Sequence, residues 1–303
     1  MITQERIEFR RVRDFGDKVG ATFGFIRQEI RSLGKALLFI VGPFALATGI
    51  LIGLIQQFIF SSVLIPATSS DPLTTVANPM VSGTYLLSQL LLMLLFVAGF
   101  IVSTGVLNVY VSRYVRGATS FEVSEIWQET WPRLGRLLLT GILYYFAVVL
   151  ATLFFFFPGI WLAVSFSFAY LVVVHENAGP AKALSRSYEL IKGKWWSTFG
   201  LMVVLYLLIV VFIWAITIPL SLIAGMFMEH SVATETAAPA WLGVMMVVGS
   251  TLGMLAAYLF SAVLGLGLAF QYFSQIERKE AVGLMERIQS VGTSKPSDET
   301  ETY

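Results

Sequence analysis

All twenty Lys and Arg residues of this 303-residue chain fall in four short segments, separated by stretches so apolar that only a membrane can accommodate them. The first segment holds Arg6, Arg10, Arg11, Arg13, Lys18, Arg27, Arg31 and Lys35, and the second Arg113, Arg116, Arg133 and Arg136. Lys182, Arg186, Lys192 and Lys194 form the third, and Arg278, Lys279, Arg287 and Lys295 lie in the tail. The three alternate connections hold no cation, only Asp71, Glu229 and Glu235. Chains threaded through a bilayer keep Lys and Arg on the cytoplasmic side. The pattern therefore predicts an even number of crossings, both termini in the cytoplasm, and a multi-pass protein of an inner (plasma) membrane. Such a chain is all-α, a polytopic helix bundle, because a spanning helix satisfies its own backbone where water is absent.

About 20 apolar residues cover a hydrocarbon core of roughly 30 Å. The stretches 36–60, 85–111, 134–153, 159–174, 198–223 and 241–273 meet or approach that length, and 159–174 is the shortest. The third and fourth are one apolar run divided at Phe157, Pro158 and Gly159. Pro cannot continue a helix and Gly permits a sharp reversal, which predicts a tight hairpin there. Six transmembrane helices follow. If Pro158 only kinked a single long helix, the last two basic segments would lie on the wrong side. The chain divides into an amphipathic N-terminal segment (1–35), a six-span domain (36–275), and a C-terminal helix with a polar tail (276–303). In that last part Ile276, Leu284, Met285, Ile288 and Val291 are the apolar positions.

Three spans are preceded by segments of helical period. In the first, Phe15, Val19, Phe23, Ile26, Ile30 and Leu33 make an apolar stripe, with Asp17, Lys18, Arg27, Gln28 and Arg31 elsewhere. Thr119 and Glu122 have capping-box spacing ahead of Val123, Ile126, Trp127 and Thr130, and Pro132 ends that segment. Pro180 suits the first turn and Gly193 the stop of the third, where Leu184, Tyr188 and Ile191 oppose Lys182, Arg186 and Glu189. The pattern suggests a threefold unit of surface helix, span, turn and span; Leu33-Gly34-Lys35-Ala36-Leu37-Leu38 and Leu134-Gly135-Arg136-Leu137-Leu138-Leu139 mark two of its junctions.

The stretch from Glu176-Asn177 through Gly179-Pro180, Ala183-Leu184, Arg186-Ser187, Leu190 and Gly193 to Trp195-Trp196 resembles a signature of bacterial six-span membrane proteins. This is the family related to the membrane domain of glycerophosphoryl diester phosphodiesterases and to YciC-like uncharacterised proteins. The Pro158-Gly159 hairpin is similar too. In those enzymes a separate catalytic barrel follows the membrane part, and the residues after Phe273 are too few for one. The resemblance thus implies a membrane module without implying phosphodiesterase activity.

Candidate contacts for lipid headgroups or partner proteins are Glu176, Lys182, Arg186, Glu189, Lys192, Trp195 and Trp196, because basic surface helices attract anionic headgroups and indoles anchor at the interface. The plain alternative is a solvated helix face. Candidates for a solute path are Ser103, Thr104, Asn108, Ser165 and Ser167; packing between helices is the alternative. No Asp, Glu, Lys, Arg or His lies deep in a span, where coupled transporters place them. Pro43 and Pro219 suit broken or kinked helices. Small residues recur at Ala45, Gly49 and Gly53, and again at Gly249, Gly253, Ala257, Ser261 and Gly265, which suits close helix packing within the monomer.

Catalysis has little to work with. The chain has no Cys, only His175 and His230 as imidazoles, no paired carboxylates and no phosphate loop. No metal site, cofactor or nucleic-acid partner is expected. The reading is a non-catalytic accessory or scaffold protein that engages membrane lipids or membrane and cytoplasmic proteins through its basic face. A transporter or channel for a neutral or amphipathic solute is the alternative. A lipid-metabolism enzyme using Glu176, Arg186 and His175 is the outside chance. Neither partner identity nor oligomeric state is legible.

Overall fold

The computed structural model describes residues 6–68, 83–118, 120–233 and 240–281. Ten α-helices and no strand are found among them: α1 (Phe15–Ile40), α2 (Gly42–Thr68), α3 (Gly83–Val115), α4 (Val123–Thr130), α5 (Leu134–Phe154), α6 (Phe156–Ser165), α7 (Ala169–His175), α8 (Pro180–Ile191), α9 (Trp195–Ala233) and α10 (Ala240–Glu280). Six stretches are long and apolar enough to cross a membrane. They lie in α2, in α3, across α4 and α5, across α6 and α7, in α9 and in α10. The chain is an all-α polytopic bundle. Its outward side chains fit that reading: Leu87, Phe146 and Trp214 are 68%, 65% and 60% exposed, which water would penalise and hydrocarbon would not.

The basic segments gather at one end of the bundle. There Arg113 of α3 meets Glu125 and Glu129 of α4, Arg136 of α5 donates to Asn177 Oδ1 at 2.7 Å, and Lys279 of α10 donates to the Glu189 carbonyl behind α8. Residues 6–13 form a strap over this end. Phe9 is buried, stacked on Phe270 at 4.2 Å between centroids and edge-on to Phe25, Tyr114 and Phe273. The strap is bonded at both ends: Arg6 donates to the Ala118 carbonyl at 2.7 Å, and the Arg13 amide donates to Ser274 Oγ at 3.3 Å.

Several expectations are revised. The first span starts at Gly42, after a break at Val41, so 36–40 belong to α1 and Pro43 lies in the first turn of α2. A proline costs little there, where the amide has no helical partner. Pro219 is inside α9. The hairpin between the third and fourth spans turns at Phe155, which is extended, while Pro158 and Gly159 have already entered α6. Gly159 is needed for contact rather than for the turn, since a Cβ there would lie 3.0 Å from Thr152 Cβ of α5. The fourth span is itself interrupted at 166–168, between α6 and α7. Glu122 is the N-cap of α4 and makes no side-chain cap bond, while Thr119 lies outside the described residues.

The apolar stripe of α1 lies mostly outward, with Leu33 buried. Phe15, Phe23 and Ile30 of its apolar stripe are exposed, whereas Lys18, Thr22 and Phe25 are buried. Beside a bilayer the apolar stripe belongs outside, and the inward face is free to hold polar groups. Leu33 to Leu38 lie within α1, whereas Leu134 to Leu139 open α5, so the two similar junctions occupy different structural positions.

The small residues of α2 set its crossing with α10. A Cβ on Gly49 would lie 3.0 Å from the Thr251 amide, and Ser250 Oγ donates to the Gly49 carbonyl at 2.8 Å. Gly253 and Gly265 face Thr217 of α9 and Leu107 of α3 instead, so the two stripes do not meet each other. Of the C-terminal apolar positions, Ile276 is in α10, and Leu284, Met285, Ile288 and Val291 lie outside the described residues.

Candidate functional site

A cleft of about 390 Å³ opens at the basic end. Ser112, Val115 and Arg116 of α3 form one wall, and Tyr272, Phe273, Ile276 and Glu280 of α10 form the opposite one. His175 and Glu176 close it at the end of α7, Arg186 of α8 borders it, and Arg10 reaches in from the strap. Every wall therefore comes from a different part of the chain.

Arg186 organises one side. Its Nε donates to both Glu176 carboxylate oxygens at 3.2 Å, and its Nη2 donates to Glu280. Tyr272 donates to Glu176 Oε1 at 2.9 Å. Burial works against the guanidinium charge, but the bonds to Glu280 and Glu176 outweigh it and hold the group above its ordinary value. Arg186 is thus committed to protein carboxylates and ties α8 to the ends of α7 and α10. On the other side, Arg116 Nη2 donates to Ser112 Oγ at 2.9 Å, with no carboxylate among its described hydrogen bonds. His175 packs against the Phe273 ring at 5.0 Å, and its Nε2 is buried without a hydrogen-bond partner. A wall carrying Arg116, Arg10 and an idle imidazole suits an anionic or hydrogen-bonding group.

Directly beneath, α8 also holds the broken fourth span. Ser187, fully buried, accepts the Phe168 amide at 3.0 Å and donates to the Ser165 carbonyl at 2.9 Å. One hydroxyl thus satisfies both backbone groups that the interruption leaves free. Pro180 and Gly193 punctuate α8 as expected, Gly193 at φ +85°.

The other candidates separate. Lys182, Glu189 and Lys192 are on the exposed face of α8, outside the cleft. Trp195 donates its indole N–H to the Trp161 carbonyl at 3.2 Å, and Trp196 is 78% exposed beside it. Ser103, Asn108 and Ser165 are buried, but Asn108 donates to the Thr104 carbonyl and Ser165 to the Trp161 carbonyl, each within its own helix. The cleft does not extend to any of these residues or to Ser167, whose Oγ is buried with no partner. No cluster of three or more metal-ligating side chains exists among the described residues. The side chain of His230 lies outside them.

Sequence reasoning missed Arg10, Ser112, Arg116, Tyr272 and Glu280. Arg116 and Arg10 were visible as cations, but nothing local places them in one cleft with Tyr272, more than 150 residues away by either count.

No curated protein and no solved structure matches the chain. A family model described as a domain of unknown function (DUF7847) matches residues 30–276, which covers five of the six spans whole and most of the sixth. The chain belongs to the DUF7847 family.

Proposed function

We propose that this chain is a non-catalytic accessory protein of a bacterial inner membrane, with its basic end in the cytoplasm and the cleft at that end as its binding site. The observation that supports it is the cleft's division into two sides. Glu176 and Glu280 are both paired with Arg186, while Arg116 lines the opposite side and the buried Nε2 of His175 is left without a partner. A side with cationic and donor groups and no nucleophile–base pair binds an anionic group without transforming it. The ligand class is a carboxylate or phosphate carried by a lipid or by a segment of a partner protein. The resemblance of the Glu176 to Trp196 stretch to six-span membrane modules points the same way. Reconstitution in liposomes tests it: the purified protein should move no solute and turn over no lipid. Turnover or flux by the protein alone overturns the proposal.

A second reading has one observation in its favour. The fourth span is a broken helix, and Ser167 Oγ and Tyr170 Oη near the break are buried without partners. Discontinuous helices border solute sites in transporters. Uptake of a neutral solute that Ser167→Ala reduces would establish a path there.

A further inference from the structure

Lys18 is the most buried lysine of the described residues, 3% exposed, and its ammonium has no hydrogen bond or ion pair among them. Its surroundings follow from how α1 lies on α10. The Arg13 amide bonds Ser274, and a Cβ on Gly267 would lie 3.6 Å from Thr22 Oγ1, so the two helices run antiparallel with Lys18 between those levels. A helical side chain leans toward its own N-terminus. Lys18 therefore reaches from the level of Gln271 toward Gln275 and Arg278, which share one stripe of α10 at spacings of four and three. Gln271 donates to Thr198 of α9 at 2.9 Å, which brings the start of α9 to the same place. Lys194 is the residue preceding that helix, and Thr198 Oγ1 donates back to its carbonyl.

Three cations from three elements thus converge, and neither Lys194 nor Arg278 has a carboxylate partner among the described residues. Between them sits an amide with nothing to bind: Gln275 is 1% exposed and its Nε2 has no acceptor. Folding normally leaves buried polar groups paired, and here two amide atoms one turn apart on α10, the Gln275 Nε2 donor and the Gln271 Oε1 acceptor, are both buried without a partner, which marks a polar place left open beside the cations. The first amides of α9 add donors and a positive dipole end. Trp196, exposed at the same turn, is at the depth where indoles meet headgroups.

We propose that Lys18, Lys194, Arg278 and Gln275 form a site for a phosphate-bearing anion at the basic end of the bundle, and that its occupant is the phosphodiester of an anionic membrane phospholipid. Burial, followed by the Arg278 charge, pushes the Lys18 ammonium down to about 8; Asp14 opposes this and Lys194 adds to it. The group is therefore charged at neutral pH, with the Asp14 carboxylate set against two neighbouring cations. The site is separate from the cleft, on the α1–α9–α10 side, and it deepens the proposed reading by naming a lipid contact.

The test follows thermal unfolding of the full chain in mild detergent as phosphatidylglycerol, phosphatidylcholine or inorganic phosphate is added. Phosphatidylglycerol should stabilise the protein; phosphatidylcholine and millimolar inorganic phosphate should not. Lys18→Met should weaken the phosphatidylglycerol effect about fivefold, and the Lys194→Gln/Arg278→Gln double variant by more. The double variant alters exposed side chains, so it decides the matter if Lys18→Met folds poorly. An unchanged phosphatidylglycerol response in the double variant overturns the site. A response to inorganic phosphate that depends on Lys18 overturns the lipid as occupant. Solute flux in liposomes would sink the accessory reading and leave this site standing, so the two fail separately.

Discussion

Two helices at the basic end, α8 and α1, are both amphipathic and both lie against α10, yet they are held by opposite means. On α8, polar side chains are spent on polar partners: Arg186 on two carboxylates, Ser187 on two backbone groups. On α1, Glu29 and Ser32 bond the Tyr110 hydroxyl, but the packing beside α10 is aromatic, with Phe25 edge-on to Phe9 and to Tyr114 at 4.9 Å, and the ammonium of the buried residue Lys18 has no hydrogen bond or ion pair among the described residues. Polar residues at such a membrane end therefore serve two purposes that composition cannot separate. Paired ones stabilise the fold, and unpaired ones detract from it while keeping a place for something else.

The contrast can be broken at its strongest point first. Ser187→Ala should cost about 2–3 kcal/mol of unfolding free energy in detergent, because the Phe168 amide and the Ser165 carbonyl both lose their bond in a buried place. A loss near zero would mean the break in the fourth span does not depend on α8. Next, Arg186→Gln should cost about 1–2 kcal/mol, reduced when Glu176→Gln and Glu280→Gln are added, since partly exposed pairs contribute modestly and the orphaned carboxylates account for part of the loss. Lys18→Met should have the opposite sign and stabilise the lipid-free protein by about 1 kcal/mol, because it removes an unpaired charge while filling the same volume. A separate handle is pH. With Lys18 held near 8 rather than its ordinary 10.5, the unfolded chain holds more protons between those values. Stability should therefore rise from pH 8 to 10.5 relative to Lys18→Met, and the two should run parallel below pH 8. Parallel profiles throughout would show that the ammonium is not buried as described.

Much of the fold was legible because membrane insertion acts on features that are local in sequence. Segments of about 20 apolar residues and the one-sided cations are each read within a short window, and the six helices follow. Element ends were read less well. Phe155 rather than Pro158 makes the hairpin turn, because a proline in the first turn of a helix is as favourable as one outside it. For α1, period alone gives two faces and does not say which meets lipid. Within the cleft, Glu176 and Arg186 were found because the α7–α8 connection keeps them close in sequence. Their partner Glu280 and the opposite wall come from distant helices, and no spacing encodes that meeting.

The strap carries a consequence for how the molecule is completed. Phe9 precedes all six described spans, and the ring it stacks on, Phe270, lies in α10, the sixth of them. Synthesis runs from the N-terminus, so Phe9 and Arg13 have no seat until α10 has been inserted. Closure of the basic end then waits on α10, and a chain stopped before that helix would leave the Phe9 ring exposed to whatever surveys the membrane surface.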